Sequence, residues 1–396
     1  MKQHKTTDIL IIGSGMAGLS LAALLAQAGF DVAVVDREDP AAMAKADYDL
    51  RTIALSVGSR DILVPLGIWD RMVRHAAPIK TIDVQEGHDP FLLNFDAGQV
   101  DAEAFGWIFP NYIVRGTLYE TALKSGVTFV QGSLKNITHA EDSVTALLQD
   151  GEEISARLLI GADGRHSRVR DLIGVDGVSL PYHQAAWVGM VEHELPHHGL
   201  AVERFYDTGP FAILPFVDSK DGLHSSAIVW TQELPKGKTN LQLPDLATLT
   251  SELEPLFDER YGRIQAVGKW ASYPLSLYHA KQFIADRVVL ISDAAHAMHP
   301  IAGQGLNLGM RDVGLLARML GEARDKDEDI GSALVLEAYQ TARRFDVFAL
   351  MAATDVLNRL FGVKLRPVRW LRSAGLGLVN RIPPLKGFFM RTAMGK

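Results

Sequence analysis

The first regular feature of the chain is a run of apolar residues, Ile9 to Ile12, that stops at Gly13. Consecutive apolar residues without alternation suit a strand buried on both faces, as in a parallel sheet. Met16 to Ala28 is rich in Ala and Leu and is closed by Gly29, which reads as a helix with glycine at its C-terminal end. Val32 to Val35 is a second buried strand, ending at Asp36. Strand, glycine turn, helix and strand make one βαβ unit. Two more short apolar strands follow: Arg157 to Ile160 leads into Gly161-Ala162-Asp163-Gly164, and Arg287 to Ile291 into Ser292-Asp293-Ala294-Ala295-His296. Between them, from about residue 182 to 275, helical periodicity gives way to aromatics punctuated by Pro and Gly, a sheet-rich insert. After Leu306 the pattern is helical.

The pattern predicts an α/β fold in which a Rossmann-type nucleotide-binding domain is interleaved with a β-sheet substrate domain and followed by C-terminal helices. Residues 1–75, 104–180 and 276–330 are assigned to the first, 76–103 and 181–275 to the second, and 331–396 to the helical region. A length of 396 residues suits one large domain or two interleaved ones, and 47% hydrophobic with 22% charged residues makes disorder, collagen and coiled coil poor descriptions. The absence of cysteine excludes disulfides, thiolate metal sites and a cysteine nucleophile. His296 and His299, or His197 and His198, lack a third ligand at helical spacing, so no metal site is expected. Neither a signal peptide nor a stretch of some 20 apolar residues is present, which suits a cytoplasmic protein, soluble or peripheral on the inner face of the membrane.

Charge divides the chain unevenly. The net charge is −7, yet no acidic residue follows Asp355, while Arg359, Lys364, Arg366, Arg369, Arg372, Arg381, Lys386, Arg391 and Lys396 do. A tail of +9 on a body of −16 calls for an anionic partner, a membrane surface or an acidic protein; a body of that charge would repel nucleic acid. Apolar residues such as Leu357, Phe361, Trp370, Phe388 and Phe389 interleave with the cations, as in segments that lie on membranes. The bland alternative is a helix pair packed on the acidic body.

Gly13-Ser14-Gly15-Met16-Ala17-Gly18, set between a strand and a helix, with Asp36 eighteen residues on and Arg37 beside it, is a dinucleotide fingerprint. The glycines serve the turn, the approach of a pyrophosphate and helix–strand packing, and Asp36 would accept from a ribose. Flavin and nicotinamide cofactors share it. A glycine-rich loop, His299-Pro300-Ile301-Ala302-Gly303-Gln304-Gly305-Leu306-Asn307-Leu308-Gly309-Met310-Arg311-Asp312, feeds a helix start whose free amides and dipole suit an anionic group.

The Asp163 and Asp293 segments, in this order and separation, resemble the single-component aromatic flavoprotein monooxygenases, of para-hydroxybenzoate hydroxylase-like fold. The 299–312 loop is similar to the signature of the ubiquinone-biosynthesis FAD-dependent hydroxylase family. Asp49-Leu50-Arg51-Thr52-Ile53-Ala54-Leu55-Ser56, Leu66-Gly67-Ile68-Trp69, Tyr339 with Arg343 and Asp346, and Asn380-Arg381-Ile382-Pro383-Pro384-Leu385-Lys386 through Ala393-Met394-Gly395 extend the likeness over essentially the whole chain. It implies FAD held by the 13–18 turn, Asp36, Arg37, Arg51, Arg115, Asp163, Asp293, Pro300 and Gly303 to Asn307, with Asp293 on the ribityl chain. One departure is Ser292, where that family has glycine.

The resemblance further implies a monooxygenase that hydroxylates the ring of a polyprenylated phenol in ubiquinone biosynthesis, using O2 through a flavin C4a-hydroperoxide. NADH or NADPH, or an external reductase, would supply electrons; no second GxGxxG unit is present. No side chain stands out as the base for the phenol, and the backbone carbonyl of Pro300 is the candidate the wider class suggests. Trp187, Phe205, Leu214, Phe216 and Trp230 are candidate pocket residues, with core packing as the competing reading. A soluble hydroxylase of small aromatic acids and a flavin-binding scaffold of a biosynthetic complex are the alternatives.

Overall fold

The apolar run at the N-terminus forms the strand His4–Ile12, with Ile9, Leu10 and Ile11 fully buried at the centre of a mainly parallel sheet. Val32–Asp36 pairs on one side and Glu153–Gly161 on the other; Thr128–Gln131 and Val288–Leu290 extend it outward, all in parallel. The computed structural model describes residues 4–43, 45, 49, 51–87, 92–219, 221–298, 303–362 and 382–396. Helix Met16–Gln27 packs against helices Asn111–Lys124 and Gln304–Asp325 as well as the sheet, which is why its sequence is apolar nearly all round. Register brings the strand ends level: Ile12 is opposite both Val35 and Gly161, and Gly161 is opposite Leu290. The loops after these strands share one edge, where doubly wound sheets bind ligands.

The insert is an eight-stranded sheet built largely from the antiparallel strands Gly177–His193, Leu200–Tyr206, Gly209–Phe216, His224–Glu233 and Ile264–Ala280. Two strands from earlier in the chain, Thr81–Glu86 and Leu92–Asp96, complete one edge, the first running parallel to Leu200–Tyr206. One face of this sheet packs toward the nucleotide half. The other forms a second core under helix Leu246–Leu253, which inserts Leu249 and Leu253. That helix, capped by the Asp245 carboxylate accepting from the Thr248 N–H at 2.8 Å, lies inside the region read as sheet. Its eight residues are too short to register a helical period among strands.

A three-stranded sheet, Thr52–Ser56, Gly106–Pro110 and Ala77–Ile79, ties the halves together. Helix Ala333–Gly362 packs along Gln304–Asp325 and touches the strands Leu200–Tyr206 and Gly209–Phe216. Helix Pro383–Ala393 closes the chain against the nucleotide half: Met390 and Met394 are buried, and the Met394 carbonyl accepts from the Gly58 N–H at 2.8 Å. Residues 363–381, which carry five of the tail cations and Trp370, lie outside the described residues.

Candidate active site

Backbone meets backbone at the turn after the first strand. Gly13 has φ +110°, and a Cβ there would collide with the Ala162 carbonyl, while a Cβ on Gly18 would collide with the Gly13 carbonyl. A Cβ on Gly15 would meet no atom within 4 Å: this side of the turn is open. Helix Met16–Gln27 starts there with neither a side-chain cap nor an acid in its first turn, so its leading amides face that space. The Met16 and Ala17 side chains are buried, leaving only their backbone for a ligand. Ser14 is committed elsewhere, donating from N and Oγ to Asp36 at 2.7 and 2.8 Å. Asp36 also accepts from the Glu38 N–H, and a carboxylate has room for a further ribose hydroxyl. Arg37 points to solvent, its side chain 77% exposed beside Glu38.

The acids after the two outer strands differ in kind. Asp163 is engaged in starting a helix: it accepts from Ser167 Oγ at 2.5 Å and from the N–H groups of Arg168 and Val169 at 2.7 and 3.1 Å. Burial pushes its carboxyl up and these bonds pull it back, with a net rise. The expectation of a cofactor contact from that side chain thus meets a capping residue instead. Asp293 has no hydrogen-bond partner among the described residues and retains accessible surface although protein surrounds it. Burial raises its carboxyl, opposed by the fields of Arg165, His296 and Arg51. Its carboxylate has acceptor capacity to spare.

Helix Gln304–Asp325 begins at Gly303, which has φ +62°, again with no cap and no acid in the first turn. Gln304, Gly305 and Leu306 are half-buried at that start. Asn307 is different: its Oδ1 accepts from Ser56 N–H and Ser59 Oγ at 2.9 and 2.7 Å, and its Nδ2 donates to the Ala54 and Gly303 carbonyls. The amide pins the helix start to strand Thr52–Ser56, so it does not face a ligand. Pro300 lies outside the described residues.

Arg51 and Arg115 converge on Asp49, which sequence reasoning quoted without a role. Asp49 pairs bidentately with Arg51 at 2.8 and 2.7 Å, accepts from Asn111 Nδ2 at 2.9 Å and lies 3.7 Å from Arg115. Burial works to raise its carboxyl, but the bonds from Arg51 and Asn111 outweigh burial and hold it at about 2. Asp49, Arg51 and Thr52 face Val188, Met190 and Tyr273 of the insert across a cleft of about 270 Å³, and the Arg51 guanidinium sits 5.2 Å from the Tyr273 ring.

A second buried hub was also missed. Asp312 accepts from Ser292 N–H at 2.8 Å, lies 2.6 Å from His296 Nε2 and pairs with Arg343 Nε at 2.6 Å. Burial would raise Asp312; His296 and Arg343 overcome it and hold the carboxyl below its usual range. This carboxylate locks the loop carrying Asp293 to the two long helices. An aspartate eight residues into a helix that is otherwise apolar on its buried side beyond Asn307 was the available signal.

The five pocket candidates divide by strand parity. Leu214 and Phe216 pack toward the nucleotide half, and Phe205 shares their face through its register with Pro210. Trp187 and Trp230 lie on the opposite face, edge to face at 5.4 Å and packed with Phe211 in the second core. They are core residues, since alternation fixes which residues share a face but not which face turns inward.

Two uncapped helix starts, an open approach at Gly15 and an unpartnered carboxylate at Asp293 fit the pyrophosphate, isoalloxazine edge and ribityl hydroxyls of a flavin dinucleotide. Residues 6–354 match the model of the FAD binding domain family, and the chain belongs to that family. Within it, the chain is 39% identical to a ubiquinone hydroxylase, UbiL, of Rhodospirillum rubrum over 99% of this chain and 90% of the relative. It is 33% identical to the 3-demethoxyubiquinol 3-hydroxylase of Escherichia coli over 99% of both. In fold it matches the crystal structure of p-nitrophenol 4-monooxygenase PnpA from Pseudomonas putida, with a TM-score of 0.78 at 20% identity over 98% of this chain and 97% of that one.

Proposed function

We propose that this protein is an FAD-dependent monooxygenase that hydroxylates the aromatic ring of a polyprenylated phenol in ubiquinone biosynthesis, consuming O2 and taking electrons from NADH or NADPH, directly or through a reductase. The end-to-end relation to ubiquinone hydroxylases carries this reading, because the fold alone is equally that of a nitrophenol monooxygenase. Bound FAD, when reduced, supplies the oxygen chemistry. The chain supplies the rest. The amides at Gly15 to Gly18 hold the pyrophosphate, Asp36 the ribose, Asp293 the ribityl chain, and the helix start at Gln304 the anionic edge of the ring. Asp49 keeps Arg51 aimed across the cleft toward Tyr273.

Phenol is favoured over an aromatic acid. The inward face of the insert carries a carboxyl, Glu203, without a hydrogen-bond or ion-pair partner among the described residues, a poor neighbour for a second carboxylate. For a lipid-borne substrate the enzyme rests on an anionic membrane through its C-terminal helix, where Phe388 and Phe389 stand exposed near Arg391.

Absorbance of the purified protein tests the cofactor, and oxygen-dependent hydroxylation of a prenylated phenol tests the reaction. The wild type should carry flavin and add one hydroxyl. Asp293→Ala should lose FAD affinity at least tenfold while keeping its melting profile, since its carboxylate makes no hydrogen bond to the described residues. A protein that neither holds nor takes up FAD would overturn the reading.

A further inference from the structure

Phenolate reacts with an electrophilic oxygen far faster than phenol does, so ring hydroxylation gains from a base near the phenolic oxygen. The inner face of the insert sheet offers one. By register, Glu203 stands opposite Ala212, Ala212 opposite Val229, Val229 opposite Val188, and Val188 opposite Ala271. The row looks into the molecule: Ala201 and Leu214 on the same face pack into the main core, and Val188 and Ala271 line the cleft with Arg51. Glu203, Val229, Val188 and Ala271 nonetheless keep accessible surface, and Ala212 between them is small. A face that points inward yet keeps accessible surface borders an internal groove. This row is apolar except at Glu203, and its other end, at Val188 and Ala271, lines the Arg51 cleft.

Among the described residues no charge compensates Glu203. Strand Gly209–Phe216 beside it carries none. On Thr81–Glu86, Asp83 turns to the other face toward Arg260 at 3.1 Å, and Glu86, on the same face, is two residues beyond Val84, the register partner of Glu203. Arg204 on its own strand turns away to Asp258. On helix Ala333–Gly362, Arg343 is bound to Asp312 and Asp346, Asp346 also to Arg311, Asp355 accepts from Tyr182, the field of Arg344 falls on His279, and Glu337 is exposed.

We propose that Glu203 is the catalytic base that accepts the phenolic proton of a substrate seated in this groove. The phenol O–H breaks, its electron pair stays on oxygen, and the proton forms an O–H on the Glu203 carboxylate, to be returned when the product leaves. The apolar row accommodates the prenyl chain, and the carboxylate at its end fixes which end of the substrate enters first. Burial pushes the Glu203 carboxyl up to about 7, which makes it a stronger base than an exposed glutamate and still largely ionised at pH 8.

This inference rests on the hydroxylase reading, and a single-turnover experiment separates the two. Holoenzyme reduced with dithionite is mixed with O2 and a phenol bearing a two-isoprene chain, for wild type, Glu203→Gln and Glu203→Asp, from pH 5.5 to 9.5. Wild-type hydroxylation should rise with pH through an inflection near 7. Glu203→Gln should keep its FAD content yet hydroxylate roughly 100-fold more slowly, lose that inflection, and recover only as pH approaches the phenol's own pKa near 10. Glu203→Asp should retain a part of the rate and the inflection. Glu203→Gln turnover within threefold of wild type, or an unchanged inflection, would remove Glu203 as the base and leave the hydroxylase reading standing. Absence of wild-type hydroxylation would overturn both.

Discussion

Three aspartates, Asp36, Asp163 and Asp293, look alike in the sequence, each following a short apolar strand. Their hydrogen bonds separate them: Asp36 braces the glycine turn, Asp163 caps a helix, and Asp293 alone of the three makes no hydrogen bond among the described residues. Strand ends were legible because apolar runs are local; partners were not, because they come from residues four apart in one case and twenty-two in another. Ser292 shows the same limit. Its place as a departure from glycine was readable, but the consequence lies in its backbone, which has φ +56°. The opposing Gly309 has no room for a side chain, since a Cβ there would collide with Ser292 Oγ. A left-handed non-glycine residue costs about 1–2 kcal/mol, partly offset because serine restricts the unfolded chain more than glycine does. Ser292→Gly should therefore stabilise the protein by about 0.5–1 kcal/mol, read as a higher urea midpoint with unchanged slope. A lower midpoint would mean that the hydroxyl contributes a contact outweighing the strain.

At the scale of elements, the order of strands and the helix after the glycine loop were readable from periodicity, whereas the clamp between the two long helices was not. Asp312 and Arg343 are separated by 31 residues and meet only because helices Gln304–Asp325 and Ala333–Gly362 pack side by side. Asp312 is 1% exposed, and removing one member of a buried pair leaves the other uncompensated, at a cost of about 3–5 kcal/mol. Asp312→Asn should show that loss in urea unfolding at pH 7 and release FAD more readily, because Ser292, and with it Asp293, is held by the same carboxylate. The pH dependence has a definite sign. A carboxyl held below its unfolded value contributes stability above that value and loses it as pH falls through the folded one. Between pH 5 and 3 the wild type should thus lose more stability than the variant, and parallel curves would show that the pair contributes nothing there.

The whole molecule is an acidic body followed by a C-terminal stretch whose cations meet no acid in sequence, and the structure shows where the described part of that stretch is anchored. Helix Pro383–Ala393 buries Met390, takes the Gly58 N–H on the Met394 carbonyl, and meets the start of the loop helix where Gln304 Nε2 reaches the Ala393 carbonyl at 3.5 Å. Its outer side presents Phe388 and Phe389, 59% and 44% exposed with ring centroids 5.8 Å apart. These two rings beside Arg391 leave about half their surface in water, and on an anionic bilayer each would bury apolar surface worth about 1 kcal/mol. No helix among the described residues is long and apolar enough to cross a membrane. A bilayer under this helix would lie beside the start of helix Gln304–Asp325. Sedimentation with vesicles containing phosphatidylglycerol should pull down the full chain at low salt and release much of it at 0.5 M salt, while neutral phosphatidylcholine vesicles should bind it weakly. Replacing both rings, Phe388→Ser with Phe389→Ser, should weaken binding at least tenfold without changing flavin content. Equal binding by that variant, or by neutral vesicles, would assign the exposed rings to a protein partner instead.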